Sequence, residues 1–306
     1  MCADRKAPSG KPGRSAVVIG GILVDDIAIP AENLCPGSSN PVTWQHRLGG
    51  VAANVACVVA QQLDTTFIGS VGDDYNGSML SSLLKKKAIR ASMVCNANQQ
   101  SDRYTAVLNS DGELYIGLAD ARLAEMLTWS NINAQLANKN PNVIIIDANL
   151  SARCLQDTVE ALHARFTQSA HIIGLAVSPV KAQRWRPVTS LMSLFFCNRR
   201  EAAALGNLRD DIGIDKLADG LLKLNIKRFV ITDGQNPILV QHNESRTLIR
   251  TPQQKIKTTV NGAGDALAGA SIAQYALGSS LVQAVESAGI AAAQAVLSGQ
   301  TLPPEI

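Results

Sequence analysis

The segment Thr259-Val260-Asn261-Gly262-Ala263-Gly264-Asp265 brings together residue types that can act on an anionic ligand. Gly262 and Gly264 allow a turn to bring backbone N–H groups close to a ligand. The Ala-rich run over 266–273 reads as a helix, so those N–H groups lie at a helix N-terminus, a ready anion site. A carboxylate beside an anion site is unfavourable unless the ligand carries cations or the carboxylate acts as a base. Asp265 next to Gly262, Ala263 and Gly264 therefore reads as a catalytic base beside an anion hole, a pairing suited to phosphoryl transfer. A simpler alternative stays open, in which Asp265 caps the helix after an ordinary Gly-rich turn.

Other segments carry related chemistry. In Leu48-Gly49-Gly50-Val51-Ala52-Ala53-Asn54 a double glycine runs into a helix with Asn54 on its first turn. The glycines permit close backbone approach, and the Asn54 amide can donate to and accept from a hydroxyl. Residues 69–77 form a second turn feeding a helix. Asn198 and Glu201 stand three residues apart and are neighbours if helical. Hard oxygen ligands acting partly through water suit Mg²⁺ with phosphates. A solvated Asn and Glu on a helix remain the plainer alternative.

These residues need a frame. Apolar, β-branched runs at 16–19, 66–71, 143–147, 171–177 and 228–232 read as buried strands. Helical patterns lie between them at 52–62, 77–87, 152–169, 199–205 and 214–224. Strands alternating with helices predict a doubly wound, mainly parallel sheet covered on both faces. Ligands of such sheets bind beyond the carboxyl ends of the strands. Gly20, Asp147, Thr232 and the loop before Asp265 fall there. The stretches 25–47 and 103–119 break the rhythm. In the second, Asn109-Ser110-Asp111-Gly112 between two strand-like runs signals a hairpin. Both segments read as a small β-sheet, either a lid over substrate or a plain edge hairpin.

Composition excludes several classes. The 306 residues, 46% of them apolar, suffice for one large α/β domain or two ordinary ones. At 4% aromatic residues and a net charge of +3, nothing favours a nucleic-acid surface. No apolar run reaches the length of a membrane span. The six cysteines and four histidines show no metal spacing, and scattered cysteines fit a reducing cytoplasm. Residues 1–15 read as a disordered tail, leaving 16–306 as the folded domain.

In this order, the segments resemble the ribokinase-like (PfkB) family of carbohydrate and nucleoside kinases, over roughly residues 16–304. The resemblance implies a three-layer αβα domain with a small β lid, use of ATP and Mg²⁺, and a homodimer formed through the lid. It makes Asp265 the base and Gly262, Ala263 and Gly264 the anion hole. It assigns Asn198 and Glu201 to magnesium and phosphate, and Thr232 and Gly234 to the nucleotide loop. Asp25, Gly49, Gly50 and Asn54 become sugar-hydroxyl contacts. Within the family, the resemblance is greatest to the branch acting on the nucleoside pseudouridine. It is carried by residues 49–54, by Asp147-Ala148-Asn149-Leu150-Ser151 and by Gly117-Leu118-Ala119-Asp120. This makes Asn149 and Asp120 substrate contacts, with Asp120 accepting from a ring N–H of the base or, alternatively, capping a helix that begins near Ala121. A free sugar as acceptor and a non-catalytic nucleoside sensor stay open beside the nucleoside-kinase reading. Three departures stand out, one being Asn236-Pro237 where the nucleotide loop often has a second Gly. Thr259-Val260 replace the family's usual Asp-Thr, which leaves dependence on K⁺ open. Leu23 stands where an Asn is common.

Overall fold

The computed structural model describes residues 14–250 and 262–297. Residues 1–13, which hold most of the expected tail, and Thr259 and Val260 lie outside the described residues.

Among the described residues, thirteen strands fall in two sheets. The large sheet takes β1 (Ser15–Ile19), β4 (Asp64–Gly72), β5 (Arg90–Asn96), β8 (Val143–Asp147), β9 (His171–Leu175), β10 (Leu194–Asn198), β11 (Arg228–Thr232), β12 (Ile238–His242) and β13 (Ser245–Ile249). Their order is β13-β12-β11-β10-β9-β8-β1-β4-β5. Seven strands run parallel, and β12 and β13 continue antiparallel from β11. The sheet is thus mainly parallel, as the alternating pattern predicts.

The lack of polar alternation in the central strands has a direct cause. In β1, Ala16 and Val18 face one core while Val17 and Ile19 face the other. In β8, Val143 and Ile145 divide from Ile144 and Ile146 in the same way. The first core is closed by α1 (Val51–Val59), α2 (Tyr75–Lys86), α8 (Ala263–Ala276) and α9 (Leu281–Leu297). The second is closed by α3 (Trp129–Gln135), α4 (Ala152–Phe166), α6 (Arg199–Gly206) and α7 (Ile214–Lys223). The short α5 (Pro179–Ala182) leads into a 3₁₀ segment. Helix, sheet and helix give the expected three layers.

The second sheet holds β2 (Leu23–Pro30), β3 (Val42–Gly49), β6 (Arg103–Leu108) and β7 (Leu114–Asp120), ordered β3-β2-β6-β7. The two stretches that break the α/β rhythm therefore pair with each other. Strand β2 alternates strictly between half-buried and buried positions, so one face looks towards the main domain. The Asp-Gly turn forms as read, with Gly112 at φ 86° and Asn109 N–H donating to Glu113 O at 2.7 Å. Strand β7 is exposed along its length.

Candidate active site

The expected site residues come from seven separate places in the chain. Gly262 is the N-cap of α8, with φ 90° and ψ −4° in the left-handed region where only glycine is unstrained. Ala263, Gly264 and Asp265 then form the first turn of α8, with their N–H groups directed out of the helix end. Gly50 plays the matching part for α1 at φ 98°. A Cβ on Gly50 would stand 2.6 Å from the Gly21 carbonyl, so the chain has no room for a side chain there.

Asn54, on α1, is buried, and its Nδ2 donates to Asp265 Oδ2 at 2.8 Å. Its Oδ1 is sealed without a partner. Burial lifts the Asp265 carboxyl to about 7; the bond from Asn54 opposes the rise, and negative Glu201, Asp147 and Asp25 add to it. Asp25 projects from β2 against Gly49, where a Cβ would meet its carboxyl carbon at 2.5 Å. Burial raises Asp25 to about 6, with Arg47 opposing and Asp26 adding. Its neighbour Asp26 faces the other side of β2, paired with His46 at 2.6 Å and Arg103 at 3.2 Å.

Asn198 and Glu201 are neighbours, as their spacing predicts, in a reciprocal cap of α6. Glu201 N–H donates to Asn198 Oδ1 at 2.9 Å, and Asn198 N–H donates to Glu201 Oε2 at 2.8 Å. Glu201 is buried, which raises its pKa against the two bonds from Asn198. One cleft is lined by Asn198, Glu201, Thr232, Gly264 and Asp265. Gly234 follows Thr232 in a turn, at φ 59°.

Two expected contacts are placed differently. The Asn149 amide is taken up at both ends: Nδ2 donates to Asp147 Oδ2 at 2.6 Å, and Oδ1 accepts from Lys181 Nζ at 2.7 Å. Asp120 ends the exposed strand β7 and pairs with Arg122 at 2.9 Å. It caps no helix. The following 3₁₀ turn has no side-chain cap of its own, and Asp102 instead accepts from the N–H groups of Arg122 and Leu123 at 3.0 and 3.1 Å.

Sequence reasoning saw Asp147 only as a strand-end residue. Its fully buried carboxylate accepts from the N–H of Gly21, Ala52 and Asn149 at 3.2, 3.2 and 2.9 Å, tying together the ends of β1 and β8 and the start of α1. A strand-end Asp facing Gly20-Gly21 was the available signal. Val177, also lining the cleft, gave none: it has φ 70°, and Ser178 N–H donates to Ala176 O at 2.9 Å across it. A β-branched residue so placed is strained.

A helix N-terminus, a buried carboxyl with its pKa raised to about 7 and a separate four-stranded sheet belong to one fold, and residues 14–305 match the family described as pfkB family carbohydrate kinase. The chain belongs to that family. Its curated relatives include the bifunctional protein HldE of Bradyrhizobium diazoefficiens, 26% identical over 301 residues, covering 93% of this chain and 60% of that protein. The chain therefore spans little more than half of HldE. The pseudouridine kinase of Escherichia coli is 24% identical over 264 residues, covering 82% of this chain and 80% of that one. A solved carbohydrate kinase from Agrobacterium tumefaciens is 25% identical, with TM-score 0.79 over 94% of this chain and 92% of its own.

Membership of a pfkB kinase family implies phosphate transfer to an alcohol and use of ATP, generally with Mg²⁺. The residues fit such ligands. Among the described residues, Asp25, Asp147, Glu201 and Asp265 form no ion pair, and each carboxyl is raised by burial. Arg47 beside Asp25 is, among the described residues, the cation that acts on these carboxyls. Among the described residues no three acidic, His or Cys side chains form a metal cage. That donor set suits a Mg²⁺ carried mainly by phosphates and water, with Glu201 beside it.

Proposed function

We propose that this kinase transfers the γ-phosphoryl group of ATP to the 5′-hydroxyl of a ribosyl nucleoside, with pseudouridine as that nucleoside. The bond between Asn54 and Asp265 carries the phosphoryl-transfer half of the reading. It fixes a carboxylate, with a pKa near the operating pH, on the same turn as outward-facing N–H groups. A base so tuned is best matched to proton abstraction.

In this reading, Asp265 takes the hydroxyl proton as the oxygen attacks phosphorus, and the N–H groups of the 262–264 turn stabilise the developing charge. Asp25 and the unpartnered Oδ1 of Asn54 accept from sugar hydroxyls, with Gly49 and Gly50 allowing close approach. Asn198, Thr232 and Gly234 would hold the nucleotide, and Glu201 would stand beside a hydrated Mg²⁺, which would supply charge neutralisation for the phosphates. The lid over 25–47 and 103–119 closes and excludes water.

The choice of pseudouridine is supported by the likeness to the bacterial pseudouridine kinase and by a polar path from cleft to lid. Asn149 bonds Lys181, and Asp102 lies within the electrostatic reach of both Lys181 and Asp120. For Asp120 to accept from a base, its pair with Arg122 must open. The Agrobacterium carbohydrate kinase favours a second reading, a free sugar such as ribose or a ketose as acceptor. We further propose that residues 16–306 form one kinase domain with 1–15 as a tail, that it works in the cytoplasm, and that two copies join through the lid. Exposed Leu114, Tyr115, Ile116 and Leu118 on β7 support that pairing.

An ADP-release assay across pseudouridine, uridine, adenosine, ribose and fructose tests the assignment. Pseudouridine should give the highest kcat/KM. Preference for a free sugar would transfer it to the second reading, and ATP use with none of the five would overturn both.

A further inference from the structure

At the opposite edge of the large sheet, away from Asp265, the strands begin around a second cavity of ≈ 470 Å³. Arg14 precedes β1, His171 opens β9 and Arg228 opens β11, and all three line it. Thr167, Ser169 and Ser193 also line the cavity, and no lining residue is acidic. Among the described residues neither guanidinium group forms an ion pair or a hydrogen bond. The Nε of Arg228 is sealed from solvent with no partner. A buried guanidinium donor left unbonded costs free energy that an oxyanion would recover. Much of His171 reaches solvent. Even so, partial burial and then the charges of Arg228 and Arg14 hold its pKa below the ordinary value.

We propose that the cavity between Arg14, His171 and Arg228 is a second anion site, suited to inorganic phosphate or a small phosphate monoester. Planar guanidinium groups bind such oxyanions in forked geometry. Thr167 and Ser193 among the lining residues carry hydroxyls that can donate to the anion. The site is separate from the catalytic cleft. It does touch the same element, since Ala276 at the end of α8 lines the cavity and the Tyr275 ring lies 5.2 Å from that of His171.

Ring spectra of the histidines report on it locally. The His171 signal, identified with His171→Gln, is followed while inorganic phosphate or ribose 5-phosphate replaces sodium chloride at fixed ionic strength. His242, opposite Arg228 across β11 and β12, is followed alongside. The His171 signal should move saturably, and its pKa should rise as the bound anion offsets the arginine charges. Arg228→Gln and, at the exposed strand entrance, Arg14→Gln should each weaken binding by about tenfold or more. Saturation by inorganic phosphate alone limits the site to the free ion, whereas tighter binding of the ester assigns it to phosphorylated metabolites. Either outcome supports the site. A response matched by chloride, or one unchanged in both variants, overturns it. So does an Arg228→Gln protein that is less stable but binds phosphate as tightly, which would give Arg228 a purely structural role at the end of α8.

Discussion

The side-chain amide of Asn54 donates to Asp265 Oδ2 at 2.8 Å, joining residues 211 positions apart in the chain. The first turn of α1 thereby fixes the rotamer of the carboxylate on the first turn of α8. The bond also stabilises the charged form, holding the Asp265 pKa below the value that burial alone would give. If Asp265 is the base, Asp265→Asn should lower kcat by about 10² to 10⁴ while ATP still binds. A variant with wild-type turnover would return Asp265 to the role of a helix-end residue.

The pH profile follows with a definite sign. Asp265 must be ionised to accept a proton, so log kcat/KM should rise with pH and level off above about 7. Asn54→Ala removes the bond that favours the charged form, so the midpoint should move upward. A midpoint that stays put or falls in Asn54→Ala contradicts the coupling.

The same carboxyls govern the stability of the ligand-free protein. Folding raises Asp25 from 3.8 to about 6 and Asp265 from 3.8 to about 7. Groups raised by folding contribute stability that is complete below the unfolded pKa and is lost as pH climbs through the folded one. Their contribution should therefore fade as pH rises from about 4, and be gone above about 6 for Asp25 and about 7 for Asp265. Thermal unfolding of wild type and of the Asp25→Asn/Asp265→Asn double variant measures this. The variant should hold its Tm better over that window, and parallel Tm curves would remove these two groups as the cause.

Asp147 should matter more to folding than its position suggests. Asp147→Ala leaves the N–H groups of Gly21, Ala52 and Asn149 without their acceptor inside the protein. At roughly 1–3 kcal/mol for each unsatisfied group, the loss is on the order of several kcal/mol. Gly20→Ala should also destabilise, because its Cβ would stand 2.4 Å from the Asp147 carboxyl carbon. Denaturant unfolding measures both, and an Asp147→Ala midpoint close to wild type refutes the clamp.

Specificity for the base turns on Asp120. Uridine offers a C–H where pseudouridine offers an additional ring N–H, so a closed lid would leave an Asp120 acceptor unpaired, at a cost of about 1–3 kcal/mol. Asp120→Ala should then narrow the preference for pseudouridine over uridine by about 5- to 150-fold. An unchanged ratio assigns Asp120 to its surface pair with Arg122 alone.

Much of the frame was legible because the central strands are covered on both faces, and this removes polar residues from them. Val143–Asp147 and Arg228–Thr232 have the limits their β-branched runs predict. Strand β5 was missed: Arg90–Asn96 lies at the sheet edge, is only partly buried and carries Arg, Ser and Asn. The antiparallel β12 and β13 were missed as well. The glycines and carboxylates of the cleft were readable from spacing. The engagement of Asn149 with Asp147 and Lys181 was not, since it depends on how strand ends from distant parts of the chain converge. The left-handed backbone at Val177 contradicts its residue type and has no signature in the sequence.

The reciprocal cap of α6 ties two properties to one pair of side chains. The cap engages Glu201 Oε2 and Asn198 Oδ1, so turning either side chain away from the helix end would release a backbone N–H of the first turn. The second carboxylate oxygen of Glu201 takes no part in the cap. In the proposed role, a ligand met through that free oxygen leaves α6 intact, whereas one that recruits the capping atoms themselves loosens the helix beneath them.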